Sequence, residues 1–312
     1  MKSVTYSAPG KIILSGEHAV VYGRPAIATA IDKRLTVTLR LSDTSRLSDK
    51  PDSWLVLENL VKRHLNLSQL PKIEVKIVSD ILKKSGLGSS AAFASAGLAC
   101  LLHLLTKKQP SLDLVNKLAF QAEKHFHKNP SGIDNSTVVY GGFVFYRKEF
   151  EFLKLVSNLS IKIPQSFQSR MFLIYTGKPK ESTAEMVEFV GKLWNQQPQA
   201  TEKIINEIEK VTKRIVISIV QENFKFFYDS VKANQRLLEE LGVFSDYSKN
   251  LLSFLADYGV YKLVGAGGRH KGSGFVLFVA KYNNIESLLV KKNLKFFPYK
   301  FSVSGLRLEN ED

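Results

Sequence analysis

The chain has 312 residues, a formal net charge of +15 and a single cysteine, Cys100. That length predicts two domains. The lone cysteine excludes an internal disulfide and a thiolate zinc cluster and fits a reducing, cytoplasmic setting, while the surplus of lysine and arginine suits anionic ligands such as nucleotides, phosphorylated metabolites or nucleic acid.

Ser3–Ala8 and Ile27–Leu41 alternate and read as strands, and Ile73–Val78 as another, with helical spacing in Trp54–Leu65 between them. The first residues, Met1–Gly10, hold no apolar core of signal-peptide length. Phe93–Leu105 is Ala/Leu-rich and helical. The most apolar run, Ala91–Leu105, is short for a membrane span and broken by Ser95 and His103, so it reads as a buried helix with no membrane contact expected. Ser111–His127 is a further helix, ended by Asn129–Gly132, and Gly141–Tyr146, Phe150–Leu155 and Leu159–Ile163 read as strands. Pro164 and the polar Gln165–Ser169 mark a boundary, which divides the chain into 1–165 and 166–312. Beyond it come a strand at Met171–Thr176, three or four helices between Ser182 and Tyr258, strands at Tyr261–Val264 and Gly274–Ala280, a short helix near Asn284–Lys291 and a strand at Phe296–Val303. Neither half alternates strictly as βαβ, which makes α+β the expected class.

Four segments carry chemistry. Lys83-Lys84-Ser85-Gly86-Leu87-Gly88-Ser89-Ser90-Ala91-Ala92 places two glycines and two serines before a long helix. Bare backbone N–H groups and a helix N-terminus aimed at one point make a phosphate cradle; the same pattern also fits an ordinary capped helix. Lys11, Glu17 and His18 lie close together among glycines and apolar residues, where charge is costly without partners; a solvated hairpin is the plainer reading. Glu123 ends a helix and Asp134 follows the turn Asn129-Pro130-Ser131-Gly132, so the chain reversal can bring two carboxylates together to hold Mg²⁺ and orient a hydroxyl; a solvated helix end and a mere turn are the alternative. Val264–Gly274 is a second glycine-dense loop.

Together these segments resemble the GHMP family of small-molecule kinases, over most of the chain and in the family's motif order. Pro9-Gly-Lys-Ile-Ile-Leu-Ser-Gly-Glu-His-Ala-Val-Val-Tyr-Gly23 and Asn129-Pro-Ser-Gly-Ile-Asp-Asn135 are most similar to its mevalonate kinase branch. The chain departs from the family at Leu82-Lys83-Lys84, where Pro-x-Gly is usual, at Val264 in place of Thr, and at Arg269-His270-Lys271, which interrupts the third glycine run. The resemblance implies an N-terminal domain like domain 2 of ribosomal protein S5 and a ferredoxin-like C-terminal domain, with ATP and substrate between them. It places ATP on Lys84, Ser85, Gly86, Leu87, Gly88, Ser89, Ser90 and Ala91, Mg²⁺ on Ser90 and Glu123, and the acceptor alcohol against Asp134, Lys11, His18 and Glu17, with Asp134 and Lys11 catalytic. The implied acceptor is mevalonate and the implied assembly a monomer or homodimer. The competing expectations are a GHMP kinase for another hydroxylated metabolite, such as phosphomevalonate or a sugar, a catalytically inactive binding module, and an RNA-binding protein using the S5-like half. Against the last stand Glu17, Glu123 and Asp134, which repel phosphate, and the lack of an RNP-type aromatic segment; no nucleic acid is expected.

Overall fold

The computed structural model describes residues 2–42, 51–83, 85–126, 130–150, 153–302 and 304–312; Lys84, His127 and Asn129, singled out above, lie outside them. Two antiparallel sheets organise the chain. The first is built on two long paired strands, β1 (Ser3–Ser15) and β2 (Ala26–Leu41). On its other edge the far half of β2 takes β3 (Ile73–Ser79), and its near half takes β4 (Phe143–Lys148), to which β5 (Lys154–Leu159) is added. Helices α1 (Asp52–Leu65), α2 (Ser89–Thr106), α3 (Leu112–Phe126) and α4 (Ile133–Tyr140) pack with this sheet. α2 is apolar all round and so lies at the centre, with every residue from Ala91 to Leu104 buried. Among the described residues it is the one helix long and apolar enough to cross a membrane, and 78% of it is buried inside the protein.

A short helix, α5 (Gln165–Gln168), leads into the second sheet, whose order is β7-β8-β6-β9: β6 (Met171–Tyr175), β7 (Gly259–Leu263), β8 (Phe275–Ala280) and β9 (Lys295–Pro298). Its helices are α6 (Thr183–Gln196), α7 (Pro198–Val220), α8 (Phe224–Glu240), α9 (Asp246–Leu252) and α10 (Glu286–Lys291). Their limits follow sequence signals. Ser182 and Glu185 form a reciprocal capping box at α6, Pro198 opens α7, and Asn223 caps α8 through the Phe226 N–H. The last strand, β10 (Arg307–Glu311), returns to the first sheet and pairs with β1.

The class is α+β as expected, with local differences. β1 runs on past Ala8 to Ser15, because register shifts at Pro9/Gly10 and Ile13/Ser15 let the strand bend without losing its partner. The strand expected at Leu159–Ile163 is absent: β5 ends at Leu159, and Ile163 is buried without ladder pairing, just before a proline. Helix α4 follows the expected turn and fills Ile133–Tyr140, where no element was expected.

Candidate active site

A cleft of about 1360 Å³ is lined by residues of both sheets' connections: the segment from Lys11 to Tyr22, the loop Ser85–Ser90, Glu123, the start of α4, one side of α6 from Thr183 to Asn195, and Gly265–Gly267. That volume exceeds what one small ligand needs and suits a nucleotide beside a second molecule.

Lys11 sits on β1 with its side chain only 3% exposed. Its N–H bonds the Leu87 carbonyl (3.0 Å), and its methylene stem passes beneath Gly88, where an added Cβ would come within 2.8 Å of Lys11 Cγ. The stem therefore aims the ammonium at Asp134, Nζ to Oδ1 3.0 Å. Asp134 lies in the first turn of α4, whose cap is Gly132 at φ 98°. An acidic side chain there is favoured by the helix dipole. The Tyr146 hydroxyl donates to the Ser131 carbonyl and pins the preceding turn.

Glu123, on the last turns of α3, is buried, and the Ser90 hydroxyl donates to its carboxylate. Burial, and then the charge of Asp134, push its pKa up to about 8, against the pull of Ser90 and Lys11. Two carboxylates are thus brought near each other beside one lysine, an arrangement short of positive charge on the Glu123 side.

The phosphate-loop residues Ser85, Gly86, Leu87, Gly88, Ser89 and Ser90 all line the cleft. The N-cap of α2 is Gly88 itself, in left-handed conformation and with no side chain capping the helix. The reading of a serine-capped helix therefore does not hold: the N-cap residue supplies no side-chain partner to the first-turn amides. Ala91 differs from its neighbours: its side chain is buried in the core, so only its backbone amide is available.

Glu17 and His18 are buried beside this set, not on a solvated hairpin. His18 has φ 60° and ψ −44°, and the Ala19 N–H bonds the Glu17 carbonyl at 2.6 Å, a classic γ-turn that a non-glycine residue adopts only under strain. His18 Nε2 lies 3.0 Å from the Ala266 carbonyl and so carries the proton, which leaves Nδ1 as an acceptor. Burial lowers its pKa to about 4, so the ring is neutral at pH 7. Glu17 is held by Lys262 of β7, in an ion pair whose side chains are 1% and 0% exposed.

Sequence reasoning missed Lys262, whose signal was a lone charge inside the apolar run Val260–Val264. It also missed Lys178 and Lys180, which bring two further cations to the cleft wall, and the apolar side chains of Leu35, Ile77 and Phe93 that line it. Among the described residues no group of three or more His, Cys, Asp or Glu could hold a metal unaided.

The model of the GHMP kinases N terminal domain matches residues 54–142. The mevalonate kinase of Pyrococcus abyssi is 32% identical over 342 residues, covering 98% of this chain and 98% of that protein. The mevalonate kinase of Archaeoglobus fulgidus is 33% identical over 270 residues, covering 84% and 88%. Among solved structures, a mevalonate kinase shares the fold with a TM-score of 0.77 at 23% identity over 96% of this chain and 99% of that one. The L. major mevalonate kinase in complex with R-mevalonate does so with a TM-score of 0.75 at 24% identity over 96% and 95%. Fold and relatives define a small-molecule kinase built on the two-domain arrangement. The chain belongs to the GHMP kinase family.

Proposed function

We propose that this protein transfers the γ-phosphoryl group of ATP to the 5-hydroxyl of mevalonate, giving mevalonate 5-phosphate and ADP. The observation that carries this reading is the 3.0 Å contact of Lys11 with Asp134 in a crevice that the Gly86–Ser90 loop also lines. The relatives from Pyrococcus abyssi and Thermococcus sibiricus, 32% and 30% identical over 98% of this chain, are mevalonate kinases, which supports mevalonate as the acceptor.

Phosphoryl transfer needs alignment and charge neutralisation more than covalent help from the protein. The amides of the phosphate loop and of the α2 N-terminus hold the triphosphate. Asp134 orients the acceptor hydroxyl and takes its proton late, while the Lys11 ammonium stabilises the oxygen as negative charge develops. His18 offers Nδ1 to a hydroxyl donor of the acceptor. The apolar lining residues Leu35, Ile77 and Phe93 suit the adenine ring.

The residues present fit Mg²⁺. A buried carboxylate with a raised pKa, a second carboxylate close by and the Ser90 hydroxyl form the small oxygen-donor set that this ion takes together with phosphate oxygens. Glu123 and Ser90 would hold it, and when bound it supplies neutralisation of the β- and γ-phosphate charge.

The test is ADP release by the purified protein with ATP and Mg²⁺ over a panel of alcohols, sugars and phosphomevalonate. Turnover with mevalonate is expected, and inert mevalonate beside another active alcohol would sink the assignment. In the same assay Glu123→Gln is expected to raise the Mg²⁺ concentration for half-maximal rate.

A further inference from the structure

The buried ion pair between β7 and the segment after β1 is not used by the mechanism above. Lys262 is fully buried, and its ammonium has three acceptors: the Glu17 carboxylate, the Ile13 carbonyl at 3.1 Å and the carbonyl of Leu263. All three of its protons are thereby satisfied. Glu17 Oε1 rests on that ammonium, and Oε2 is buried with no hydrogen-bond partner. Four residues beyond Lys262, the Ala266 carbonyl takes the His18 Nε2 proton. One short segment of the second half therefore grips two consecutive residues of the first, Glu17 by its side chain and His18 by its ring. Between those grips lies the γ-turn, with His18 at φ 60°. A strained turn persists only where its surroundings over-determine it.

We propose that Lys262 is a positioning residue for the acceptor: through Glu17 it fixes the strained turn that presents His18 to the cleft. Glu17 then acts as the anchor of that turn instead of as a ligand of the acceptor, contrary to the role implied by family resemblance. The identity of the acceptor rests on the function proposed above; the positioning role does not. Removing one partner leaves the other as an uncompensated buried charge, whereas removing both leaves a neutral contact.

The test is a double-mutant cycle of Lys262→Met, Glu17→Gln and the two combined, read as kcat, KM for mevalonate, KM for ATP and melting temperature. Each single change is expected to raise the mevalonate KM by about tenfold or more, with the ATP KM changed by about twofold at most. The double variant is expected to bind mevalonate no more weakly than the weaker single variant, because both changes break the same clasp. Losses that add in the double variant would mean that Glu17 acts on the acceptor independently of Lys262, and would overturn the proposal. Equal rises in both KM values would reduce Lys262 to a general structural part and overturn it too. If Lys262→Met does not fold, Lys262→Arg keeps the charge while spreading its donors; it is expected to raise the mevalonate KM alone, and an Arg variant indistinguishable from wild type would refute the role. Were the wild type to phosphorylate another alcohol, the functional assignment would fail, while the same cycle run on that alcohol would still decide the role of Lys262.

Discussion

Gly86 and Gly88 of the Ser85–Ser90 loop and Gly265 and Gly267 of the second loop all line the cleft, but the glycines of the Gly265–Gly274 loop are also pressed against main chain. In the first loop a Cβ at Gly86 would meet nothing closer than 3.6 Å, and one at Gly88 would touch only the flexible stem of Lys11. Glycine is needed there for the left-handed φ of 87° and 75° and for bare amides. In the second loop a Cβ would strike backbone at almost every glycine: 2.0 Å from the Val243 carbonyl oxygen at Gly267, 2.3 Å from Gly177 at Gly272, and 2.7 Å from the Ser85 carbonyl oxygen at Gly274. The Phe275 N–H also bonds the Ser85 carbonyl at 3.0 Å. The second loop is a backing plate whose glycines let main chain lie on main chain, and what it backs is the phosphate loop. The three residues that interrupt its glycine run stand on the outer turn, where Arg269 lies over the Phe189 ring at 3.9 Å and His270 Nε2 is 3.5 Å from Glu181. The departure from the family pattern therefore falls where no close backbone approach is required.

The sharpest way to set the chemistry of the cleft apart from both loops is to remove its charges. Asp134→Asn or Lys11→Met is expected to lower kcat by about 10²–10³-fold with the protein still folded, as shown by unchanged circular dichroism. Next, Gly272→Ala forces backbone apart and is expected to cost about 3 kcal/mol or more, whereas Gly86→Ala carries only the strain of a left-handed alanine, about 1 kcal/mol, and acts mainly on the ATP KM. Equal melting temperatures for these two variants would erase the distinction between the loops.

His18 tests the clasp between the first motif and the second loop. Its folded pKa, about 4, lies below the unfolded value of 6.5. The unfolded chain thus binds more protons between those values, and the associated stability is present above pH 6.5 and lost as pH falls toward 4. The loss amounts to up to about 3 kcal/mol. Thermal melts across that window are expected to show this acid sensitivity, and His18→Gln is expected to flatten it. The smallest effect belongs to the outer turn: Arg269→Ala should lose about 0.5–1 kcal/mol of stability with kcat unchanged.

Much of this was legible in the sequence because periodicity and burial agree. β2, β3 and helices α1 to α3 follow their apolar spacing, the approach of Glu123 to Asp134 follows from a turn that reverses the chain, and the place of Lys11 beside them came from the family resemblance. Three features were not. α4 is eight residues rich in Ser, Thr and Val, weak helix formers, and it forms because Gly132 precedes it and its residues are buried in tertiary contact. β10 reads Arg-Leu-Glu-Asn-Glu, with one apolar residue, and its stability comes from a partner: the Ser7 hydroxyl donates to Glu309, and Arg307 Nε lies 2.8 Å from the same carboxylate. Lys262 was not singled out because the acid that pairs with it is 245 positions away in the sequence.

The return of β10 to β1 also bears on how the protein assembles. Ser3 Oγ reaches Asp312 Oδ2 at 3.0 Å across 309 positions of chain. One edge of the first sheet must therefore remain open through the synthesis of everything between, and its closure carries the entropic cost of the longest loop the molecule contains. High contact order of this kind slows folding. It also leaves the backbone groups on that edge of β1 without their ladder partner until the last strand is made, the kind of edge to which strands of neighbouring chains can add.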